Sequence, residues 1–424
     1  MLVSLIYKSF SNLTNQNNPS RKIILTLFIL LIFRFGNTIP LVGIDQDALK
    51  KSFLQLENRN AIMQIINMYS GGGGTTILSP FSLGIIPFIN ASILIDLLTS
   101  VFPALEKLQS EEGEFGRKKL NFYKKILTLI FAIIQSIFLI IYLKSYFYNT
   151  DYFNFAIIIL ELVTSTMLTL WLSNIIDSQG IGNGTSIIIF TNIVITLISK
   201  NLINSQEINN LFFLQIFFLL IILMLICILQ TARVNIDVVS ARQLAFLENI
   251  DKENLNKKFL SDSFLQENGL AIRINQAGIF PIIIASNLLP FISYLTNNFP
   301  ENFKIINNIL YYFLIIGFNY FYTTIFWDPE KISEQLRKAS VSIVNVTPGK
   351  ETISYLENIV RSTSLVGGVL LCSILLSYEL FKNLINGVLL NQINISSLII
   401  LVGVAFEIQK NIKSLYRNYL STSF

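Results

Sequence analysis

Histidine is absent from the 424 residues. Its absence excludes imidazole acid–base chemistry, histidine metal sites and any catalytic triad that needs His. Cysteine is nearly absent. Cys227 and Cys372 both lie inside apolar runs, so no disulfide framework is implied. Charge is scarce as well: Asp, Glu, Lys and Arg make up 13% of the chain, about half the usual share for a soluble domain. A glycine run, Gly71–Gly74, is followed by Thr75-Thr76 and not by Gly-Lys-Ser/Thr, which removes the phosphate-loop reading. No catalytic residue, bound cofactor or metal site is expected, and the chain does not read as an enzyme.

What the chain has in abundance is apolar sequence. Hydrophobic residues make up 52%, and the mean hydropathy is +0.59. A bilayer core about 30 Å thick takes roughly 20 apolar residues per helix. On that ruler ten spans are predicted: Ile23–Pro40, Phe81–Thr99, Ile126–Tyr146, Phe153–Leu172, Ser186–Leu202, Phe212–Leu229, Ala277–Leu295, Ile306–Phe326, Leu365–Phe381 and Leu384–Val404. Backbone groups in hydrocarbon must bond internally, so spans are helices or a closed barrel. These runs are continuous rather than alternating, which rules against a barrel. An all-α polytopic membrane protein is expected.

The few charges are sorted by loop. Of the 31 Lys and Arg, 23 fall before the first span, between spans two and three, six and seven, and eight and nine, and after the tenth. Seven fall on the opposite side, in the alternate gaps and at the span ends beside them, and Arg34 lies within the first span. Basic residues collect on the cytoplasmic side, so both termini are expected there, as an even number of spans requires. The first span lacks a small-residue cleavage site and is expected to remain as a helix. Two long inside segments, about 231–273 and 327–364, carry both signs of charge and suit docking of a soluble partner. Richness in Ile, Asn, Phe and Lys is the mark of an A+T-rich genome.

One segment does not fit the helical pattern. Residues 60–80 read NAIMQIINMYSGGGGTTILSP. Ile62 to Tyr69 is apolar but too short to span, and it breaks at Gly71, Gly72, Gly73 and Gly74. A short, glycine-interrupted apolar piece beside a full span reads as a half-helix or re-entrant element. Such backbone survives at membrane depth only when buried in protein or lining a cavity.

Five separated stretches carry a resemblance: FRFGNTIPLVGID (Phe33–Asp45), FSLGIIPFINASILIDLLTSVFPALEKLQSEEGEFGRKKLNFYKK from Phe81, WLSNIIDSQGIGNGTSIIIF (Trp171–Phe190), INQAGIFPIIIASNLL (Ile274–Leu289) and YFYTTIFWDPEKISEQLRKAS (Tyr320–Ser340). In order and in spacing they resemble the SecY protein-translocation channels. The resemblance implies ten helices in two pseudo-symmetric inverted-repeat halves of five, about 1–205 and 206–424. It implies an hourglass pore that passes unfolded polypeptides and releases apolar segments sideways into lipid. The plug would be about residues 62–76, with Ile62, Met63, Ile66, Met68 and the four glycines as its core. The pore ring would be Ile85, Ile89, Ile189, Ile283 and Ile400, an apolar waist that sheds water and ions. A lateral gate would carry Asn90, Asp96, Asn183, Asn275 and Gln276. Motor or ribosome docking would fall to Arg117, Lys118, Lys119, Lys257, Lys258, Arg273, Lys338 and Lys350. The implied partners are a SecE-type small subunit, a SecG-type subunit, a SecA-type motor ATPase or a ribosome, unfolded preproteins with signal sequences, and membrane lipid.

Three residues depart from the family pattern. Asp96 stands where glutamine is usual, Glu161 is an unexpected intramembrane carboxylate, and Thr347 replaces the arginine usual before Pro348-Gly349. A plastid thylakoid location is expected, with a bacterial inner membrane as the alternative. Two competing functions remain on the residues alone. A secondary transporter would need convergent midplane charges, and Arg34, Asp96 and Glu161 are scattered. A membrane protease would need aspartyl chemistry.

Overall fold

The structure is a computed structural model, which describes residues 19–49, 78–110, 112–148, 151–203, 210–240, 269–278, 280–285, 288, 303–385 and 395–422. The plug residues and Lys257 and Lys258 lie outside the described residues. The chain divides into two compact units, Met1–Ile208 with Ile400–Phe424, and Asn209–Ile399. The division in mid-chain falls near the expected one at 205. The last stretch, 400–424, was expected with the second half but groups with the first unit.

The first unit holds α1 (Pro19–Gly36), α2 (Ile86–Val101), the short α3 (Pro103–Ser110), α4 (Gly113–Leu143), α5 (Tyr152–Gln179) and α6 (Gly184–Ile203). Its outward faces are apolar. On α1 the exposed residues Ile24, Leu27, Phe28, Leu31 and Phe35 recur at helical spacing down one side. In water such a stripe would have to be covered, whereas in hydrocarbon it is a solvated face. The buried side of α5 sets small hydroxyl residues, Ser165, Thr166, Thr169 and Ser173, among aliphatics such as Leu162 and Ile176. Three of these hydroxyls bond back to the helix's own carbonyls, as Thr169 does to Ser165 O at 2.8 Å. Small residues of this kind let membrane helices approach closely.

The second unit holds α7 (Asn210–Thr231), β1 (Arg233–Ser240), β2 (Gly269–Arg273), α8 (Phe303–Phe326), α9 (Pro329–Lys338), β3 (Val341–Ile343) and α10 (Lys350–Ile385). The last helix, α11 (Ile395–Thr422), runs from this unit into the first. α7 is apolar on every side: Phe213, Phe217, Leu220, Met224 and Ile228 are exposed, while Phe218, Ile222, Ile226 and Leu229 are buried. α10 has 36 residues. At 1.5 Å per residue it is about 54 Å long and outruns the roughly 30 Å hydrocarbon core.

The described parts of the two inside segments knit into one antiparallel sheet of order β2-β1-β3, in which Ile236 faces Leu270 and Val238 faces Ile343. Under it lies a small dry core of Ile236, Ile272, Ile343 and Leu356, flanked by Trp327, Ile332 and Leu336. Helix α9 is started by Asp328, whose carboxylate accepts from the Glu330 and Lys331 N–H groups, with Pro329 in the first turn. Residues 350–364, expected in the linker, are the polar first half of α10.

Seven helices among the described residues are long and apolar enough to cross a membrane. They correspond to spans two, three, four, six, eight, nine and ten. Span one is the 18-residue α1, span five is α6, and span seven is described only at 280–285 and 288. The chain is an integral, multi-pass membrane protein.

Candidate pore and gate residues

The approach to α2 is buried almost throughout. Ser79, Ser82 and Leu83 are each 1% exposed. Pro80–Leu83 forms a 3-10 turn closed by the Gly84 N–H on Phe81 O at 2.9 Å. Gly84 has φ +51°, a conformation that suits glycine. Ile85 comes directly after it, and Ile89 lies one helical turn further on the same face. Both are buried, at 3% and 7%. The exposed large apolar residues of α2, Leu94 and Val101, fall on the opposite side. The ring isoleucines thus occupy the side of the helix withdrawn from lipid.

Ile189 is half-buried on α6, and a tight junction sets the position of that helix. Asp177, near the end of α5, accepts from the Gly184 N–H at 2.6 Å. Asn183 accepts from the Thr185 N–H at 3.1 Å and its hydroxyl at 2.7 Å. Asn183, expected at the lateral seam, is exposed and its side chain caps the start of α6. Gly182 has φ +66°, and a methyl added there would collide with the Asn411 amide on α11. One turn along, Ser186 donates to Glu407 Oε2 at 2.9 Å. On α11, Ile400, Val404, Glu407 and Asn411 fall on one face at helical spacing, and Ile400 is 6% exposed. The Ser186–Glu407 bond therefore ties the helix of Ile189 to the helix of Ile400. Ser186→Ala is expected to lower thermal stability of the purified protein by about 1 kcal/mol, the usual worth of an interhelical bond in a membrane. Glu407→Gln, which keeps an acceptor, is expected to lose less.

In the second unit Ile283 is 7% exposed on a helical segment, 280–285. Asn275 is 2% exposed and donates to Gly278 O at 3.1 Å. Its Oδ1, and Gln276 Nε2, are buried with no partner among the described residues. Both keep unused hydrogen-bonding capacity, as a polar contact that is made and broken requires.

Asp96 is spent within its own unit. Its Oδ1 lies 2.8 Å from Lys124 Nζ on α4, with the side chains 31% and 17% exposed. An intramembrane carboxylate is costly alone, and here an ammonium on the neighbouring helix neutralises it. Glu161 is half-buried on α5 and accepts from the Val42 N–H just beyond α1. Asn90 is half-buried on α2.

Arg117, Lys118 and Lys119 are exposed on the first turns of α4, as are Arg273 at the end of β2, Lys338 and Lys350. Lys338 pairs with Glu334 at 3.0 Å. Arg233 and Arg273 stand directly opposite each other in the sheet, a like-charge pair that favours an anionic neighbour. Thr347 donates to Glu351 Oε2 at 2.6 Å, so the side chain that replaces the usual arginine closes the turn before α10. Sequence reasoning missed Glu379 and Glu407, carboxylates in the ninth and tenth apolar helices. Glu379 accepts from Tyr312 Oη at 2.5 Å. A single carboxylate in an apolar run was the signal in each case.

Comparison with known proteins agrees with this geometry. The sequence model of the SecY family matches residues 79–409. "Protein translocase subunit SecY" of Pyropia yezoensis is 36% identical, covering 95% of this chain and 97% of its own. Those of Guillardia theta and Synechocystis sp. are each 33% identical, covering 97% and 93% of this chain and 98% and 91% of their own. Among solved structures, a protein conducting channel superposes with TM-score 0.63 at 13% identity, covering 95% of this chain and 94% of its own. Sec61 from a canine ribosome-channel complex superposes with TM-score 0.59 at 14% identity, with the same coverage. At such identities the structures speak for the fold alone.

Proposed function

Because the chain belongs to the SecY family, we propose that it is the pore-forming subunit of a Sec-type translocase, with the five isoleucines as its waist. Unfolded polypeptides pass through an hourglass pore between two five-helix halves, and apolar segments leave sideways into lipid. One observation carries the reading. In a chain whose helices expose large apolar side chains to lipid, Ile85, Ile89, Ile283 and Ile400 are all withdrawn from the outer surface and Ile189 is half-withdrawn. A ring of stiff, branched, non-hydrogen-bonding side chains excludes water yet favours no particular sequence among passing chains.

The remaining parts belong to the same reading. Residues 62–76 serve as plug. Asn275 and Gln276, with buried groups unpaired, serve the lateral gate. The sheet bearing Arg233 and Arg273, with Lys338 at the end of α9 and Lys350 at the start of α10, faces the stroma or cytoplasm with both termini, and receives a SecA-type motor or a ribosome. A SecE-type subunit clamps the halves, and a SecG-type subunit can join. Kinship with the algal and cyanobacterial proteins and the A+T-rich composition support a plastid thylakoid. The test is crosslinking of a stalled secretory chain to single cysteines at 85, 189 and 283, with Leu220→Cys on the lipid-facing side of α7 as control. Adducts at the three ring positions and none at 220 are expected; absence at all three overturns the assignment.

A further inference from the structure

We propose that Gln46 is a positioning residue for the pore ring, holding the lead-in to α2 by imitating a β-strand partner. The inference rests on the reading of Ile85 and Ile89 as ring residues. Gln46 Nε2 donates to Leu78 O at 3.1 Å, and the Leu78 N–H donates to Gln46 Oε1 at 2.9 Å. One primary amide thus satisfies both backbone groups of one residue. The same Leu78 carbonyl also accepts from the Leu41 N–H at 2.8 Å. Leu78 is 2% exposed and belongs to a core with Leu41, Ile44, Leu49 and Leu83. A buried backbone N–H and C=O must find partners. Among the described residues no strand runs beside Leu78 to supply both; Gln46 does so from 32 residues away.

The clamp matters because it sits at the head of the segment that carries the ring. From Leu78 the chain runs through Ser79 and the Pro80–Leu83 turn to Ile85, with Phe81 alone less than fully buried. Pro80 and the closed turn leave little slack over those residues, and Pro87 stiffens the first turn of α2 just after Ile85. Pinning Leu78 therefore fixes where α2 begins, and hence the height and azimuth of Ile85 and Ile89. Gln46 itself is anchored. Asp45 accepts from the Asp47 and Ala48 N–H groups at 3.1 and 3.0 Å, and the Asp45 N–H donates to Tyr146 O at 2.9 Å.

The test measures resting ion leak in vesicles holding the full channel complex, for wild type, Gln46→Ala, Gln46→Glu and Ile85→Asn. Glutamate is the informative variant. Protonated, it offers one donor and one acceptor, as glutamine does; ionised, it keeps only acceptors and faces the Leu78 carbonyl. Leak is read at about pH 8 and about pH 4, since an ordinary glutamate titrates near 4.3 and partial burial raises that value, so that the carboxyl is mostly protonated at the lower pH. Among the described residues, Asp45, Asp47, Tyr146, Tyr148 and, from α5, Glu161 are the titratable groups around the site. They are common to all variants, so wild type at each pH is the baseline. Gln46→Ala is expected to leak roughly tenfold more than wild type at both pH values, the factor for one to two lost hydrogen bonds. Gln46→Glu is expected to leak at the higher pH and to seal at the lower. If Ile85→Asn leaks while Gln46→Ala stays tight, the clamp is overturned and the ring stands. If Gln46→Glu behaves alike at both pH values, the hydrogen-bond account is overturned even where Gln46→Ala leaks. If Ile85→Asn is tight, the ring reading itself fails.

Discussion

Asparagine at position 85 is expected to raise the resting conductance of membranes containing this protein by about one to two orders of magnitude. An apolar constriction blocks ions because a water column through it is unfavourable. Burying an isoleucine side chain is worth about 1.5–3 kcal/mol, and asparagine replaces that term with a group that binds water. Each tenfold change corresponds to about 1.4 kcal/mol, which sets the expected range. The comparison that gives the result meaning is Leu94→Asn, further along the same helix but 38% exposed on the lipid side. It carries a like chemical change to the other face. It should lower the yield of inserted protein and leave the leak of what inserts unchanged. Conductance is read in planar bilayers, together with export of a protein whose signal sequence has been weakened, which Ile85→Asn should relax. A tight Ile85→Asn channel beside a leaky Leu94→Asn channel would place the waist elsewhere.

How much of this could be read from the chain differs by element. The spans were legible because lipid imposes one rule, continuous apolar helix, and α5, α7 and α8 announce it most clearly; α10 and α11 carry polar turns outside their apolar runs, and α11 overlaps the expected tenth span only at 395–404. The sheet was not. Its strands are eight, five and three residues long, and β1 pairs with a β3 that lies far beyond it in the chain. Alternation over so few residues does not separate a strand from a charged linker. The intramembrane carboxylates were individually visible, but their pairing was not. Lys124 meets Asp96 because α2 and α4 pack side by side, and Ser186 meets Glu407 because α11 returns to the first unit. Neither contact has a spacing in sequence. The motifs singled out Ile85, Ile89, Ile189 and Ile283 as ring candidates, whereas the role proposed for Gln46 can be read only once Leu78 is beside it. Asn183 was legible only as a polar residue beside a motif; that its side chain also caps α6 shows only in the structure.

The Asp96–Lys124 pair gives the second large effect, and it decides between two roles for the departure from glutamine. If Asp96 acts within the wall formed by α2 and α4, Lys124→Met should destabilise the protein by about 2 kcal/mol, because it leaves a carboxylate in hydrocarbon with no countercharge. Breaking a fully buried pair costs about 3–5 kcal/mol. The partial exposure of these two side chains, 17% and 31%, lowers the expectation. Asp96→Asn should cost less, since an amide needs no countercharge, and the double variant should recover most of what Lys124→Met loses. Thermal unfolding of the four proteins in one lipid gives the coupling energy directly. The functional readout separates the alternatives. A bond inside one wall keeps α2 and α4 together, and its loss leaves the requirement for an apolar signal unchanged. A bond holding the gate shut would behave otherwise: Asp96→Asn alone would then let weak signals through, without the protein losing stability. The 2.8 Å contact to Lys124 predicts the first outcome. On the proposed function, Asn275 and Gln276 then remain as gate candidates; their buried Oδ1 and Nε2 have no partner among the described residues.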